Sequence, residues 1–101
     1  MGLTVIDLDI KNLSLEDFMR AMGYEPVDRN ANLLIYESPY STRGNIIVDT
    51  GINCWYDKEK PDKNYGGIYD LAHEITGSAN RSELKLFIAP ELKKVREVKM
   101  Y

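Results

Sequence analysis

The chain has 101 residues, of which 44% are hydrophobic and 29% are charged, a composition typical of one small globular domain and not of a disordered segment. Its single cysteine excludes an internal disulfide framework, and it excludes a zinc site of four cysteines, or of three cysteines and a histidine, within one chain. The N-terminus lacks the pattern of a secretion signal and no apolar run reaches membrane-spanning length, so we expect a cytoplasmic protein that does not enter a membrane.

The formal net charge of −3 is unevenly distributed along the chain. Residues 1–80 carry 7 Lys or Arg against 13 Asp or Glu, whereas residues 81–101 carry 6 against 3. Non-specific duplex binding depends on cations that neutralise phosphates, so the acidic body counts against tight duplex binding. Positive charge remains at the C-terminal end and in the 58–63 loop.

The first clear element is a helix predicted at 14–22. Ser14 is a good N-cap, Asp17 occupies the capping-box position, and Gly23 is a typical helix-ending residue. Apolar residues recur at helical spacing on one face, namely Leu15, Phe18, Met19 and Met22.

Strands are predicted next, at 32–38 and then as a hairpin of Asn45–Asp49 and Ile52–Asp57 turning at Asp-Thr-Gly. Consecutive strands with short connections form antiparallel sheets. The alternating stretch at 3–10 predicts an edge strand. Together these elements predict an α+β fold with a small antiparallel sheet of three to five strands and flanking helices.

A second helix is predicted at 68–76, opened by Gly66-Gly67 and ended by Gly77. The remaining segment, 79–101, has a helical apolar stripe that Pro90 interrupts. Because proline suits the first turn of a helix better than its interior, we predict two short helices here. A strand near the end is the alternative.

Four stretches carry a resemblance to a known family: LEDFMRAMGYEPV, IYESPYS, NCWYD and GGIYDLAHEITG, in this order over about residues 13–78. The pattern resembles the N-terminal Cys-His-Cys-Cys zinc-finger domain of bacterial DNA primases, above all the divergent primase-like proteins of mobile elements. The resemblance implies one domain over 1–101, with a C-terminal extension, and a role in DNA replication as a template-binding module.

The family's metal ligands are replaced in this chain. Its Cys-Pro-Phe-His pair falls on Ser38 and Ser41, and its Cys-Phe-x-Cys pair falls on Trp55 and Lys58. Zinc prefers thiolate, imidazole or carboxylate ligands, and none of these four residues supplies one. Cys54 is one residue out of register, which in a strand places it on the opposite face. The resemblance therefore implies the scaffold without zinc, and we expect no cofactor.

Aromatic side chains are the predicted replacement for the metal. A buried Trp removes about 150–250 Å² from water, which offers several kcal/mol at about 25 cal/mol per Å². We expect an apolar plug at the former metal position, formed by Trp55, Tyr36, Tyr40 and Tyr56.

Trp55 and Tyr56 point to opposite faces of one strand, so we expect Trp55 to be buried and Tyr56 to be either buried or a base-stacking platform. Candidate nucleic-acid contacts are Tyr56, Trp55, Arg43, Lys58, Lys60 and Lys63. The interleaved acids of the 57–63 loop favour a simple solvated loop over a phosphate site.

Catalysis has little support in the sequence. Cys54 and His73 are the only thiol and imidazole and lack the spacing of a catalytic pair, and Asp70 with Glu74 is typical of a solvated helix face. We expect no enzyme, with a thiol or metal enzyme as a minor alternative. The expected function is a non-catalytic accessory that binds single-stranded DNA. The alternative is a protein-interaction or self-associating module, as a homodimer or with a replication or mobilisation protein.

Overall fold

The computed structural model describes residues 9–60 and 65–99, with side chains described as far as Lys94. Its centre is one antiparallel sheet with the strand order β1-β2-β3-β4. The strands are β1 (Asp28–Asn30), β2 (Leu33–Glu37), β3 (Asn45–Asp49) and β4 (Cys54–Asp57). The predicted α+β class and the hairpin are confirmed, although residues 52–53 belong to the turn and not to the strand.

The helices are α1 (Leu15–Ala21), α2 (Ile68–Thr76) and α3 (Arg81–Lys99). Helix α1 begins as predicted, because the Ser14 hydroxyl accepts a hydrogen bond from the Asp17 amide at 3.0 Å. It is followed by Gly23, whose φ of +95° is in the region that favours glycine. Among the residues described, no helix is both long and apolar enough to cross a membrane.

Two predictions of secondary structure are wrong, and one strand was not predicted. Residues 9–12 are helical, so the edge strand expected at 3–10 is absent at its last two residues, and its first six lie outside the described residues. The three-residue strand β1 was not predicted. The C-terminal segment is one helix, α3, with Pro90 inside it.

Helix α3 continues through Pro90 because proline removes only one backbone hydrogen bond, whereas the helix buries a long apolar face. Proline removes one hydrogen bond to the carbonyl of Leu86, four residues earlier. Leu86 is 75% exposed, so water can reach that carbonyl. Meanwhile Leu84, Ile88 and Leu92 bury one continuous face of the helix, and each buried side chain contributes about 1.5–3 kcal/mol.

The two faces of the sheet differ in what covers them. We call one the inner face: in register across the strands it carries Leu34, Val48 and Trp55 in one row, and Tyr36, Ile46 and Asp57 in the next. The apolar members of both rows belong to one core cluster with the buried residues of all three helices. The outer face carries the alternate residues, which lie outside that cluster: Leu33, Ile35, Glu37, Asn45, Ile47, Asp49, Cys54 and Tyr56.

Asn53 joins the sheet to α1. It occupies the turn before β4 with a φ of +53°, a backbone conformation that asparagine tolerates better than most residues. Its Oδ1 accepts from the Leu15 amide at 2.7 Å, and its Nδ2 donates to the Leu13 carbonyl at 3.1 Å. One side chain therefore satisfies backbone groups at the start of α1 and fixes that helix against the hairpin.

Candidate functional site: the aromatic clasp and the tyrosine pair

Tyr40 joins the two segments in which the resemblance places metal ligands. Its hydroxyl donates a hydrogen bond of 2.6 Å to Asp57 Oδ2, and its ring packs edge-on against Trp55 with 6.1 Å between centroids. Tyr40 lies between Ser38 and Ser41 in the sequence, and both of its partners lie on β4. We call Tyr40, Trp55 and Asp57 the clasp, because they connect the loop after β2 to β4.

Asp57 is buried at 7% exposure, and both of its oxygens are used. Oδ2 accepts from Tyr40, and Oδ1 accepts from the Glu59 amide at 2.8 Å. Burial, together with the hydrogen bond to Asp57, raises the pKa of the Tyr40 hydroxyl well above its ordinary value. A buried carboxylate requires hydrogen-bond partners. Tyr40 and the Glu59 amide supply one donor to each oxygen of Asp57.

Trp55 is the anchor between β4 and the start of α2. It is only 4% exposed, and its indole Nε1–H donates to the Gly67 carbonyl at 2.9 Å. Its backbone exchanges two hydrogen bonds with Gly66, at 2.9 and 2.8 Å. A Cβ on Gly66 would lie 2.9 Å from the Cβ of Asp70, so only glycine fits this approach.

The burial predicted for Trp55 is confirmed at 4% exposure. Its assignment as a base contact stays a prediction, and this burial does not favour it. Of the residues predicted for the plug, Trp55 and Tyr36 are buried in the core cluster, and Tyr40 packs against it and against Trp55. The prediction is wrong for Tyr56, which lies on the outer face. Sequence reasoning missed Asp57 as a partner of Tyr40.

The positions that the resemblance assigns to metal ligands lie in ordinary polar surroundings. Ser41 and Lys58 are exposed, Ser38 is partly buried, and the Ser38 hydroxyl accepts a long hydrogen bond of 3.4 Å from the Tyr40 amide. Within residues 9–60 and 65–99, no group of three or more His, Cys, Asp or Glu side chains is arranged to hold a metal ion.

A second aromatic group lies on the outer face. The rings of Tyr56 and Tyr65 meet edge to face, with 5.1 Å between their centroids. Tyr65 is placed there because Gly66 bridges to Trp55, which sets the preceding residue opposite Tyr56. The Tyr65 side chain is 51% exposed. We call these two residues the tyrosine pair, and it continues the row of Ile35 and Ile47 across the sheet.

Three exposed cations lie where β3 begins and β4 ends: Arg43, Lys58 and Lys60. We call them the basic rim. The Lys58 amide donates to the Asn45 carbonyl at 3.0 Å, and Gly44 approaches Glu59 so closely that an added Cβ would lie 2.7 Å from its Cγ. Lys63, the other predicted cation, lies outside the described residues.

A cavity of about 290 Å³ lies beside the tyrosine pair, between β4 and α2. We call it the side cavity. Its lining comprises Trp55, Tyr56, Asp57, Tyr65, Gly66, Asp70, His73 and Glu74. Asp70 Oδ2 accepts from the Gly67 amide at 2.8 Å and so caps α2. His73 Nδ1 lies 2.7 Å from the Ser78 carbonyl oxygen, which can only accept, so Nδ1 carries the proton.

The structure places Cys54 and His73 in different environments. Cys54 lies on the outer face and its thiol donates to the Ile52 carbonyl at 3.4 Å. His73 lies on α2, bonded to Ser78 and lining the side cavity. No hydrogen bond described in the structure joins them, and this arrangement gives no support to a thiol–imidazole pair.

Comparison with family models, with curated proteins and with solved structures finds no match to this chain.

Proposed function

We propose that the chain is a non-catalytic binding module that receives single-stranded DNA on the outer face of its sheet. The observation that carries the proposal is the half-exposed Tyr65 ring, held against Tyr56 within the same sheet surface that ends at the basic rim. In this proposal the module acts in the cytoplasm, in replication or in the mobilisation of a mobile element, as the primase-like pattern of the sequence implies.

The tyrosine pair offers an aromatic surface on which the unpaired bases of a single strand can stack. Unpaired bases stack on aromatic rings regardless of sequence, and each such contact is worth about 1–3 kcal/mol. In a duplex the base faces are already stacked on one another. An exposed ring on a sheet therefore favours a ligand whose bases are free.

The basic rim supplies the complementary contact with phosphates. Arg43, Lys58 and Lys60 are exposed, and no ion pair within the described part of the chain involves them. Three phosphate contacts give a slope of about −2 for log K against log salt on single strands. With the acidic body opposing phosphates elsewhere, binding is expected to be weak, salt-sensitive and selective for single strands.

Fluorescence anisotropy of a labelled single-stranded oligonucleotide, titrated at low and moderate salt with a duplex control, tests this proposal. Replacing Tyr65 by Ala is expected to weaken binding by about 1–3 kcal/mol. Leu86→Ala is the matched control, because Leu86 is 75% exposed but lies on α3, away from the tyrosine pair. Unaltered affinity in a folded Tyr65→Ala variant would remove the tyrosine pair from the site.

A protein partner is the second candidate, favoured by the composition of the outer face. Its centre is apolar, with the partly exposed Ile35 beside the buried Ile47. The neighbouring positions carry the carboxylates of Glu37 and Asp49. Such a surface suits self-association or a protein better than it suits phosphates. A solution mass of two chains that returns to one chain in Ile35→Glu, with no oligonucleotide binding, would replace the first proposal by this one.

A further inference from the structure

The basic rim is carried by two separate segments of the chain. Arg43 belongs to the loop after β2, residues 38–44, whereas Lys58 and Lys60 belong to the turn that ends β4, residues 57–60. A phosphate backbone contacts all three cations only if the loop and the turn keep fixed positions relative to each other. The contacts that fix these two segments therefore bear on binding.

Asp57 organises the turn. Its carbonyl oxygen accepts from the Lys60 amide at 3.0 Å, and its Oδ1 accepts from the Glu59 amide at 2.8 Å. A carboxylate that accepts from the backbone amide two residues later holds a turn in one conformation. The Lys58 amide of the same turn donates to the Asn45 carbonyl at 3.0 Å. Both lysines of the rim thus extend from a backbone with defined hydrogen bonds.

Tyr40 connects the loop to this turn. Its hydroxyl donates to Oδ2, the other oxygen of Asp57, at 2.6 Å. Gly44, which follows Arg43 in the loop, lies so close to the turn that an added Cβ would be 2.7 Å from Cγ of Glu59. One buried carboxylate therefore holds the turn through one oxygen and the loop through the other.

Resting on the proposed binding of single-stranded DNA, we infer that Tyr40 and Asp57 are positioning residues of its phosphate site. Neither contacts the strand, because Asp57 is buried at 7% exposure and Tyr40 packs against the core. Their hydrogen bond keeps Arg43 where it meets the same strand as Lys58 and Lys60. Without this bond the loop must be ordered when the strand binds, and that conformational entropy is subtracted from the affinity.

The experiment measures the affinity for oligodeoxythymidine of about ten nucleotides by anisotropy at several salt concentrations. Each phosphate contact on a single strand adds about −0.7 to the slope of log K against log salt. The wild-type slope of about −2 is expected to become about −1.4 in Tyr40→Phe, with a loss of affinity of about fivefold to tenfold at about 0.05 M salt. A smaller folded fraction would instead lower the affinity by one factor at every salt concentration and leave the slope unchanged.

Arg43→Ala and the double variant show whether Tyr40 acts through Arg43. Arg43→Ala alone is expected to give the same slope of about −1.4. Adding Tyr40→Phe to it should weaken binding by less than about twofold further, because the contact that Tyr40 positions is already absent. Tyr24→Phe is the matched control. It removes the hydroxyl of a partly buried tyrosine outside the clasp, and both affinity and slope should stay at the wild-type values.

Three results overturn the inference and leave the proposed function intact. They are a wild-type slope in Tyr40→Phe, a wild-type slope in Arg43→Ala, and an equal loss from Tyr40→Phe whether or not Arg43 is present. Failure of the wild-type chain to bind the oligonucleotide overturns both the inference and the proposed function.

Discussion

Trp55 and Tyr56 are adjacent in β4 and have opposite surroundings. Trp55 is on the inner face, 4% exposed and hydrogen-bonded to Gly67. Tyr56 is on the outer face, where it meets the half-exposed Tyr65. Because side chains alternate along a strand, the four-residue strand β4 presents one face that stabilises the fold and another that is available to a ligand. Substitutions on the inner face should therefore lower stability, and substitutions on the outer face should weaken ligand binding.

The largest effect is expected for Trp55→Ala, which removes the central side chain of the clasp and leaves a cavity. Substitutions of this kind cost about 3–5 kcal/mol. Urea unfolding followed by circular dichroism measures the loss. Trp55→Phe is a milder substitution to be used if the Trp55→Ala variant does not fold. It keeps an aromatic ring but loses the Nε1 hydrogen bond to Gly67, so part of the loss should remain. A loss below about 1 kcal/mol for Ala would contradict the anchoring role of Trp55.

Tyr40→Phe comes next, because it removes one donor from the buried Asp57 carboxylate without changing the ring that packs on Trp55. An unsatisfied buried acceptor costs about 1–3 kcal/mol, and the same urea experiment measures it. Tyr24→Phe is the control, since that partly buried tyrosine lies outside the clasp. An equal loss of stability in both variants would show that the hydrogen bond from Tyr40 to Asp57 does not contribute to stability beyond the effect of losing any tyrosine hydroxyl.

Alkaline pH is expected to destabilise the protein through Tyr36 and Tyr40. Burial, with a contribution from the Glu16 carboxylate, raises the pKa of Tyr36 from its ordinary value of 10.0 to about 12, and the pKa of Tyr40 is also raised. A raised pKa means that the folded state holds the proton more tightly. The stabilisation is therefore complete below about pH 10 and is lost as the pH climbs through about 12. Tyrosinate absorbance should show these two groups ionising together with unfolding, and ionisation of all tyrosines at the ordinary pKa in folded protein would contradict it.

Tyr65→Ala is expected to change the free energy of unfolding by no more than about 0.5 kcal/mol, because surface substitutions rarely do more. The same variant should bind the oligonucleotide more weakly by about 1–3 kcal/mol. A substitution on the outer face is thus expected to change affinity without changing stability. A loss of stability as large as that of Tyr40→Phe would place Tyr65 in the scaffold.

The smallest expected effect is that of a chelator. If the clasp replaces a structural metal, removal of divalent cations should leave the melting temperature unchanged, and native mass spectrometry should give the bare chain mass. Stoichiometric zinc in the spectrum, or a fall in melting temperature with chelator, would contradict the replacement.

Elements with a local signal could be predicted from the sequence. Helix α1 is specified by its Ser14 cap and by apolar spacing, and the burial of Trp55 follows from alternation in β4. Strand β1 could not be predicted, because Asp28, Arg29 and Asn30 are all exposed and polar. They form a strand only by pairing with β2.

The candidate site was only partly predictable for a similar reason. Tyr65 joins Tyr56 through the bridge between Gly66 and Trp55, a contact that no local pattern specifies. The bond between Tyr40 and Asp57 spans 17 residues and is likewise tertiary. The glycine pair at 66–67 was the available signal. The pair predicts the start of a helix, and Gly66 also lets the backbone approach the Trp55 indole.

Asn53 has a consequence for the order in which the chain acquires structure during synthesis. Its two hydrogen bonds to the start of α1 span 38 and 40 residues, so they cannot form until the ribosome has released the β3–β4 turn. Until then the nascent first helix lacks both its amide partner and the sheet that buries Phe18, and short isolated helices are marginal in water. Helix α1 is therefore expected to become stable only after the β3–β4 hairpin has formed, although it emerges earlier.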